Sequence, residues 1–218
     1  MARLPSELEK YEQYRPQMQT GDAIAFSGTS GFSELIKWAT RSPYSHVGII
    51  LKSDLGEGFG ETVFLVESTT ETNQRDFEGK QVIKGVQIHF LSKRLETYPG
   101  SVWWVPLKNR ISPDGLAQMA SWLRQTHNQK VPYDYVQIYG AGLDMFDRYG
   151  LQNDPDFSTL FCSELVAKAL QIGGAIVDPN FNPSDQTPGD VVLLPCFQNP
   201  VELKIYPGLN NLQVKGGK

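Results

Sequence analysis

Two runs of apolar, strand-forming residues joined by a glycine-rich connection constrain the fold more than any other feature of the sequence. Residues 46–51 read HVGIIL and residues 62–67 read TVFLVE, and the ten residues between them, KSDLGEGFGE, contain three glycines. β-branched and aromatic residues favour strands, and clustered glycines mark turns. The pattern therefore predicts an antiparallel hairpin with a long loop, and hence a sheet at the centre of the fold.

Other segments add strands and helices in an uneven order, which favours an α+β class over a regular parallel βαβ array. Further strands are predicted over residues 21–26, 86–90, 101–106 and 201–206. Helices are predicted over residues 6–14, 33–39, 113–125, 133–146 and 162–171, and a surface loop over residues 179–189. We expect one catalytic domain over residues 17–208, an N-terminal helical arm over 1–16 and a flexible tail over 209–218.

Composition excludes several classes of function. The chain has 218 residues and a formal net charge of −4, and its 20 Lys and Arg residues are scattered, which argues against a nucleic-acid partner or docking on an anionic membrane. The N-terminal MARLPSELEKYEQYRP lacks the apolar core of a secretory signal, and no later run has the length of a spanning helix, so a cytoplasmic enzyme is expected. Two cysteines give neither a disulfide framework nor a zinc spacing, so no metal or cofactor is expected.

The search for a general base is short, because the chain has three histidines. His127 falls at the polar end of a predicted helix, and His89 alternates within a strand whose neighbours are typical of structure. His46 begins an apolar strand directly after the turn-like residues 41–45 (RSPYS), a position that holds a side chain rigidly at a strand edge. We interpret His46 as the base.

A symmetric closure of the hairpin places Glu67 opposite His46. In that register Leu51 faces Thr62 and Ile50 faces Val63, and directly opposed residues share one face of the sheet. A slip of one residue would separate the imidazole from the carboxylate. In the predicted register Glu67 orients His46 and stabilises its charged form, as the third member of a nucleophile, base and orienter set.

Cys162 is the candidate nucleophile, because it stands where the predicted helix of residues 162–171 begins. Helix N-termini carry partial positive charge, which favours a thiolate, and their free N–H groups can bind an oxyanion. A second interpretation stays open. Cys162 continues the apolar stripe of its own helix, and this spacing alone favours an inert core thiol. The stripe consists of Leu165, Val166, Ala169 and Leu170.

Three segments together resemble a known family. They are residues 21–24 (GDAI) with 42–50 (SPYSHVGII), residues 66–68 (VES) and residues 161–166 (FCSELV). In this order they resemble the circularly permuted branch of the NlpC-type papain-like cysteine peptidases, a group that includes YiiX-like proteins and is similar to lecithin–retinol acyltransferases. The resemblance covers residues 21–170 and implies a papain-like fold, with an antiparallel sheet packed against the helix of the nucleophile.

The resemblance also implies roles. Cys162 becomes the nucleophile, His46 the general base and Glu67 the orienter. Residues 131–134 (VPYD) look like the family's Pro-Tyr element, which makes Tyr133 a candidate hydroxyl donor to the oxyanion, and Tyr44 competes for that role. Either tyrosine is equally typical of a half-buried core aromatic.

One departure from the family pattern bears on the substrate. Phe161 precedes Cys162 where unpermuted relatives carry an aspartate associated with recognising the free amine of cell-wall peptides, so cleavage of such peptides is not expected. The predicted function is a cysteine hydrolase that cleaves an amide bond in a small peptide or isopeptide. The alternatives are acyl transfer or thioester hydrolysis on a lipid, and a non-catalytic binding module on the same fold.

Overall fold

The computed structural model describes residues 6–54, 61–79, 81–82, 84–130 and 158–206. Six helices and six strands lie in these ranges, together with two short 3-10 helices at Arg15–Gln17 and Pro183–Asp185. The helices are α1 (Ser6–Tyr14), α2 (Gly31–Thr40), α3 (Leu91–Thr97), α4 (Pro113–Asn128), α5 (Ser158–Ile172) and α6 (Pro188–Val192). The strands are β1 (Ala23–Gly28), β2 (His46–Asp54), β3 (Glu61–Thr69), β4 (Gly85–Phe90), β5 (Gly100–Val105) and β6 (Val201–Lys204).

The strands form one antiparallel sheet in the order β4-β3-β2-β1-β5-β6. The sheet and its helices confirm the predicted α+β class. The predicted helix over residues 133–146 lies outside the described residues. No helix in the described ranges is both long enough and apolar enough to cross a membrane.

Each face of the sheet has its own buried cluster. Strand alternation sends Val47 and Ile49 of β2 to the face covered by α4, α5 and α6, which we call the α5 face. It sends Ile50 of β2 and Leu65 of β3 to the opposite face, where Leu91 and Leu95 of α3 pack, which we call the α3 face. Helix α1 also packs on the α3 face, where its Leu8 and Tyr11 are buried.

Local sequence signals explain where several helices begin. Ser112 caps α4 by accepting a hydrogen bond from Gly115 N at 3.2 Å, and Pro113 occupies the first turn, where no N–H is needed. Thr187 and Asp190 form a capping box at α6. The segment predicted as a surface loop, residues 179–189, therefore ends inside a short helix whose Val191 and Val192 reach the core.

The observed register of the hairpin differs from the predicted one by two residues. Ile50 pairs with Leu65 and Leu51 with Phe64, and the ladder continues to Asp54 opposite Glu61. The strands extend into the polar connection, where charged side chains pair across the two strands. Lys52 Nζ, for example, forms an ion pair with Glu61 Oε2 at 2.5 Å. Because side chains alternate with a period of two, a shift of two residues leaves each on its predicted face.

Candidate active site

His46 is the first residue of β2 and is anchored to β1. It pairs with Phe26, and the preceding residue, Ser45, donates its backbone N–H to Phe26 O at 2.8 Å. The Ser45 hydroxyl accepts a second hydrogen bond from Gly28 N at 3.0 Å. The His46 side chain is buried, with a relative exposure of 7% for the residue. The turn before β2 therefore holds the imidazole at the end of the sheet, as the sequence indicates.

Glu67 reaches His46 diagonally across the two strands. The β2–β3 ladder ends at Ile49 opposite Val66, and continuing its register places Gly48 opposite Glu67. A Cβ atom on Gly48 would lie 3.2 Å from Glu67 Cβ and 2.6 Å from Leu65 Cδ1, so glycine at this position leaves room for the Leu65 and Glu67 side chains. His46 Nε2 lies 2.6 Å from Glu67 Oε2. The predicted contact is present, because diagonal neighbours on one face are within reach of long side chains.

Arg94 completes the surroundings of the carboxylate. Its Nε donates to Glu67 Oε1 at 2.8 Å and an Nη donates to Glu67 Oε2 at 3.3 Å, a two-point ion pair with both side chains buried. Arg94 is not among the residues predicted from the sequence, because α3 was not predicted. The available signal was a charged residue three positions after Leu91 and beside Leu95, on the apolar stripe of a short helix.

Two aromatic rings hold the guanidinium of Arg94. Its Cζ atom lies 5.5 Å from the centroid of Phe26 and 5.1 Å from that of Tyr98. The two rings meet edge to face at 4.8 Å, and Phe26 also contacts the His46 ring at 5.4 Å. Phe26 thus touches both the imidazole of His46 and the guanidinium of Arg94, and its contact with the guanidinium is a cation–π interaction.

Cys162 lies on α5 and is buried on the α5 face, with a relative exposure of 0%. Helix α5 packs against β2 and β3, and Cys162 makes a side-chain hydrogen bond with His46. Because Nε2 of His46 is bonded to Glu67, the ring nitrogen left for the sulfur is Nδ1. One imidazole therefore bridges the thiol and the carboxylate.

The position of Cys162 in its helix differs from the prediction. Helix α5 begins at Ser158, four residues earlier, so Cys162 lies in its second turn. In an α-helix the N–H of the fifth residue bonds to the carbonyl of the first, so the Cys162 N–H belongs to the helical ladder. The prediction of a free N–H at this position is wrong, because Thr159, Leu160 and Phe161 continue the helix toward its N-terminus. The charged partner of the sulfur is His46.

The contacts of His46 favour its protonated form. Burial lowers the pKa of His46, but the charge of Cys162, its hydrogen bond and the bond to Glu67 raise that pKa to about 9. The ring is then an imidazolium at neutral pH and becomes neutral as the pH rises through about 9. Such an ion requires a nearby anion, and the Glu67 carboxylate fills that role.

Glu67 is ionised in this setting. Burial raises the pKa of a carboxyl group, but the charge of Arg94, followed by the hydrogen bond and charge of His46, holds the pKa of Glu67 well below its usual range. The carboxylate therefore keeps its charge throughout the neutral range.

The two tyrosines proposed for the oxyanion fall in different places. Tyr133 lies outside the described residues. Tyr44 packs edge to face against Trp103 of β5 at 5.4 Å, and burial raises the pKa of its hydroxyl. Tyr44 thus has the surroundings of a half-buried core aromatic, and its part in catalysis stays a prediction.

The other two histidines have structural surroundings, in line with their interpretation from sequence. His89 is buried on β4, where Nε2 lies 2.7 Å from Gln87 Oε1 and Nδ1 lies 3.2 Å from Arg75 O. Burial lowers the pKa of His89, which favours the neutral ring. His127 lies near the end of α4, where its ring contacts Phe77.

Ser68 carries a buried hydroxyl directly beside Glu67 in the sequence. It follows Glu67 on β3, so strand alternation points it to the α5 face with Val66. Its Oγ has no hydrogen-bond partner within the described part of the chain. A buried hydroxyl without a partner carries a desolvation cost, which a bound polar group could offset.

Ligands for a metal ion are not grouped in the described ranges. No cluster of three or more His, Cys, Asp and Glu side chains there could hold one. Cys162, His46 and Glu67 are neighbours, but both Glu67 oxygens accept hydrogen bonds from His46 and Arg94. A fixed guanidinium charge beside the carboxylate also disfavours a cation.

Comparison with known proteins supports the fold. No family model and no curated protein matches the chain. The chain is similar to the crystal structure of the metalloprotein YiiX from Escherichia coli O157:H7, a DUF1105 protein, with a TM-score of 0.51 and 17% sequence identity. The match covers 87% of this chain and 99% of that one. The chain therefore has a YiiX-like α+β fold.

Proposed function

We propose that this chain is a cysteine hydrolase that cleaves an amide bond, in a small peptide or an isopeptide, through an acyl-enzyme thioester. The observation that carries the proposal is the bridging position of His46, which bonds to Cys162 on one side and to Glu67 on the other. A thiol in an ordinary core lacks an imidazole partner. The nucleophile, base and orienter pattern of covalent catalysis needs this arrangement.

In the first half of the reaction, the Cys162 thiolate attacks the substrate carbonyl carbon and the carbonyl electrons move to oxygen. As the oxyanion collapses, the carbon–nitrogen bond breaks and the His46 imidazolium gives its proton to the leaving amine. The products of this half are a free amine, a thioester on Cys162 and a neutral His46. Glu67 holds the ring through Nε2 and stays ionised, so it keeps the orientation of Nδ1 toward the reacting atoms.

In the second half, neutral His46 removes a proton from water, and the resulting hydroxide attacks the thioester carbon. The carbon–sulfur bond breaks, the carboxylic acid leaves and Cys162 returns as a thiolate beside an imidazolium. The half-reaction needs no oxidant, reductant or metal. Glu67 stays hydrogen-bonded to Nε2 of His46 whether the ring is neutral or protonated.

A metal centre like the one that the name of the YiiX structure implies is not part of this proposal. The residues that would have to supply it do not fit. Cys162, His46 and Glu67 are bonded among themselves, and Arg94 places a permanent positive charge on the same carboxylate. A cation bound to Glu67 would lie beside that guanidinium.

Acyl transfer or thioester hydrolysis on a lipid is the second candidate. An exposed apolar surface on α2 favours it, where Trp38 has a relative exposure of 78% and Leu35 one of 37%. Helix α2 directly follows β1, whose Phe26 contacts the His46 ring. Tryptophan is enriched where proteins meet the membrane interface, so an acyl chain held there could present its carbonyl to the site.

A substrate screen with matched cysteine variants tests the proposal. Peptide amides and isopeptides form one arm, and lipid esters and acyl thioesters form the other. The wild-type chain, Cys162→Ala and Cys196→Ala are assayed in parallel, since Cys196 is a partly exposed cysteine and provides the matched control. We expect turnover by the wild type and by Cys196→Ala, no turnover by Cys162→Ala, and a trapped acyl group on Cys162 by mass spectrometry.

The outcomes separate the candidates. Turnover in the amide arm supports the peptidase, and turnover in the lipid arm alone supports the acyl alternative. Binding of a substrate by both wild type and Cys162→Ala without turnover would indicate a non-catalytic binding module. Turnover that persists in Cys162→Ala would contradict both catalytic candidates.

A further inference from the structure

The charge of buried Glu67 must stay compensated when His46 loses its proton. His46 must gain and lose a proton during each cycle, yet its partner Glu67 is completely buried. A buried carboxylate whose single cationic partner becomes neutral is left uncompensated, which is costly. It would then either hold His46 as an imidazolium or take the proton itself, and both outcomes would stop proton exchange with the substrate.

Arg94 has the geometry of a permanent counter-ion. Two of its nitrogens donate to the two oxygens of Glu67, at 2.8 and 3.3 Å, and the side chain is held between Phe26 and Tyr98. Because arginine stays protonated, the pair with Glu67 has no net charge whether or not His46 is protonated. His46 and Cys162 then exchange protons without changing the charge balance of the carboxylate.

We infer that Arg94 is a positioning residue of this site, which keeps Glu67 ionised and oriented so that His46 is free to gain and lose its proton. The role of Arg94 in catalysis rests on the proposed function. Its effect on the charge of Glu67 does not, because that charge can be measured in any folded sample. Arg94 touches neither the sulfur nor the imidazole in this account. It acts on them through Glu67.

Other charged and titratable groups around the carboxylate have to be considered in the test. Glu67 is influenced by Arg94 from α3, His46 from β2 and His89 from β4, and Cys162 from α5 acts on His46. Tyr98 and Glu71 lie in the same electrostatic neighbourhood. Of these groups, Arg94 exerts the largest effect that lowers the pKa of Glu67, so its removal has a definite sign.

The test is the titration of the Glu67 carboxyl carbon by ¹³C NMR in the full chain. In the wild type we expect no titration of Glu67 above pH 4. In Arg94→Met burial is no longer offset by the guanidinium, so the midpoint should rise by about one pH unit or more. Arg94→Lys keeps the charge without the two-point geometry and should give a smaller rise. Arg124→Met is the matched control, since Arg124 Nε donates within its own helix to Ala120 O, and it should leave Glu67 unchanged.

A second measurement keeps the inference testable if Arg94→Met does not fold. In a double-mutant cycle on turnover or on Cys162 alkylation, Glu67→Gln removes the group through which Arg94 acts, and Arg94→Lys/Glu67→Gln should then be no slower than Glu67→Gln alone. The acid limb of the rate profile should also move to higher pH in Arg94→Lys. An unmoved Glu67 midpoint, or losses that simply add, would overturn the inference. If the Glu67 midpoint shifts while Cys162→Ala retains full turnover, Arg94 does control Glu67 but the proposed function fails.

Discussion

Two buried carboxylates, Asp22 and Glu67, have the same exposure of 0% and opposite electrostatics. Asp22 accepts hydrogen bonds from Trp104 Nε1 at 2.8 Å, Leu107 N at 2.9 Å and Gln19 N at 2.9 Å, all neutral donors. Burial outweighs these bonds and raises the pKa of Asp22. At Glu67 the balance is reversed by Arg94 and His46, which lower the pKa of the carboxyl group.

The difference separates a structural carboxylate from one suited to proton chemistry. Asp22 ties the segment before β1 to β5 and to Leu107, which lies two residues after the end of β5. Neutral donors satisfy its oxygens without coupling them to a group that titrates near neutral pH. Glu67 is coupled to an imidazole that in turn contacts a thiol, so a proton moved at one member changes the others. Burial alone therefore does not distinguish the two carboxylates, whereas the charge of their partners does.

The largest expected effect comes from Glu67→Gln. The variant leaves the buried guanidinium of Arg94 without a counter-charge, which typically costs about 3–5 kcal/mol of folding free energy. Chemical denaturation at pH 7 measures it. Arg94→Met/Glu67→Gln removes both charges and should be more stable than Glu67→Gln, and a double variant less stable than the single would contradict the importance of this pair.

Asp22→Asn should cost less. One of the two carboxylate oxygens becomes an NH₂ group facing N–H donors, so at least one donor loses its partner, at about 1–3 kcal/mol. The same denaturation experiment applies, with alkylation of Cys162 as a second readout that should match the wild type. Slower alkylation in the folded Asp22→Asn variant would show that the two carboxylates are not independent.

The coupling of His46 to the thiol predicts a change in its own titration. In the wild type His46 should titrate near pH 9, since the charge of Cys162 is the largest of the effects that raise the pKa of His46. In Cys162→Ala that effect is absent, so the midpoint should fall by about one unit or more. Imidazole ¹⁵N shifts measure it, with Cys196→Ala as the control. Equal midpoints in all three proteins would remove the electrostatic link between His46 and Cys162.

Ser68→Ala should have the smallest effect on stability. It deletes a buried hydroxyl with no partner in the described structure, so the free energy of unfolding should stay within about 1 kcal/mol of the wild-type value or increase. Thermal unfolding measures it, and Thr69→Ala, at a neighbouring buried hydroxyl that accepts from Glu71 N at 3.2 Å, is the comparison. A larger loss of unfolding free energy in Ser68→Ala than in Thr69→Ala would indicate that the Ser68 hydroxyl makes a hydrogen bond, which would contradict the prediction.

Sequence reasoning could predict the parts of the fold and site that depend on local pattern. The strand beginning at His46, the hairpin, the first helix and the helix beginning at Pro113 follow from residue type and spacing. The contact between His46 and Glu67 was predicted with the wrong register. It forms because a shift of two residues keeps both side chains on the same face of the sheet, and because Gly48 leaves room for the Glu67 side chain.

The rest depends on contacts between distant segments, which local pattern does not encode. Helix α3 has seven residues and only two buried leucines to mark it, so neither the helix nor Arg94 was predicted. The start of α5 was misplaced by a turn because polar residues before Cys162 are typical of a loop as well as of a first helical turn. The two partners that keep Glu67 ionised, His46 of β2 and Arg94 of α3, are 21 and 27 residues away from it in the chain.

The most direct test of the central claim is the order in which the two cysteines react with iodoacetamide in the folded protein at neutral pH, followed by mass spectrometry. Exposure alone predicts that Cys196 reacts first, because it is partly exposed and Cys162 is buried. Burial also raises the pKa of Cys196, whereas Cys162 is hydrogen-bonded to His46. The account predicts that Cys162 reacts first, by about tenfold or more, and that His46→Ala abolishes its lead. Faster labelling of Cys196, or a Cys162 rate that His46→Ala leaves unchanged, would contradict the assignment of Cys162 as the nucleophile.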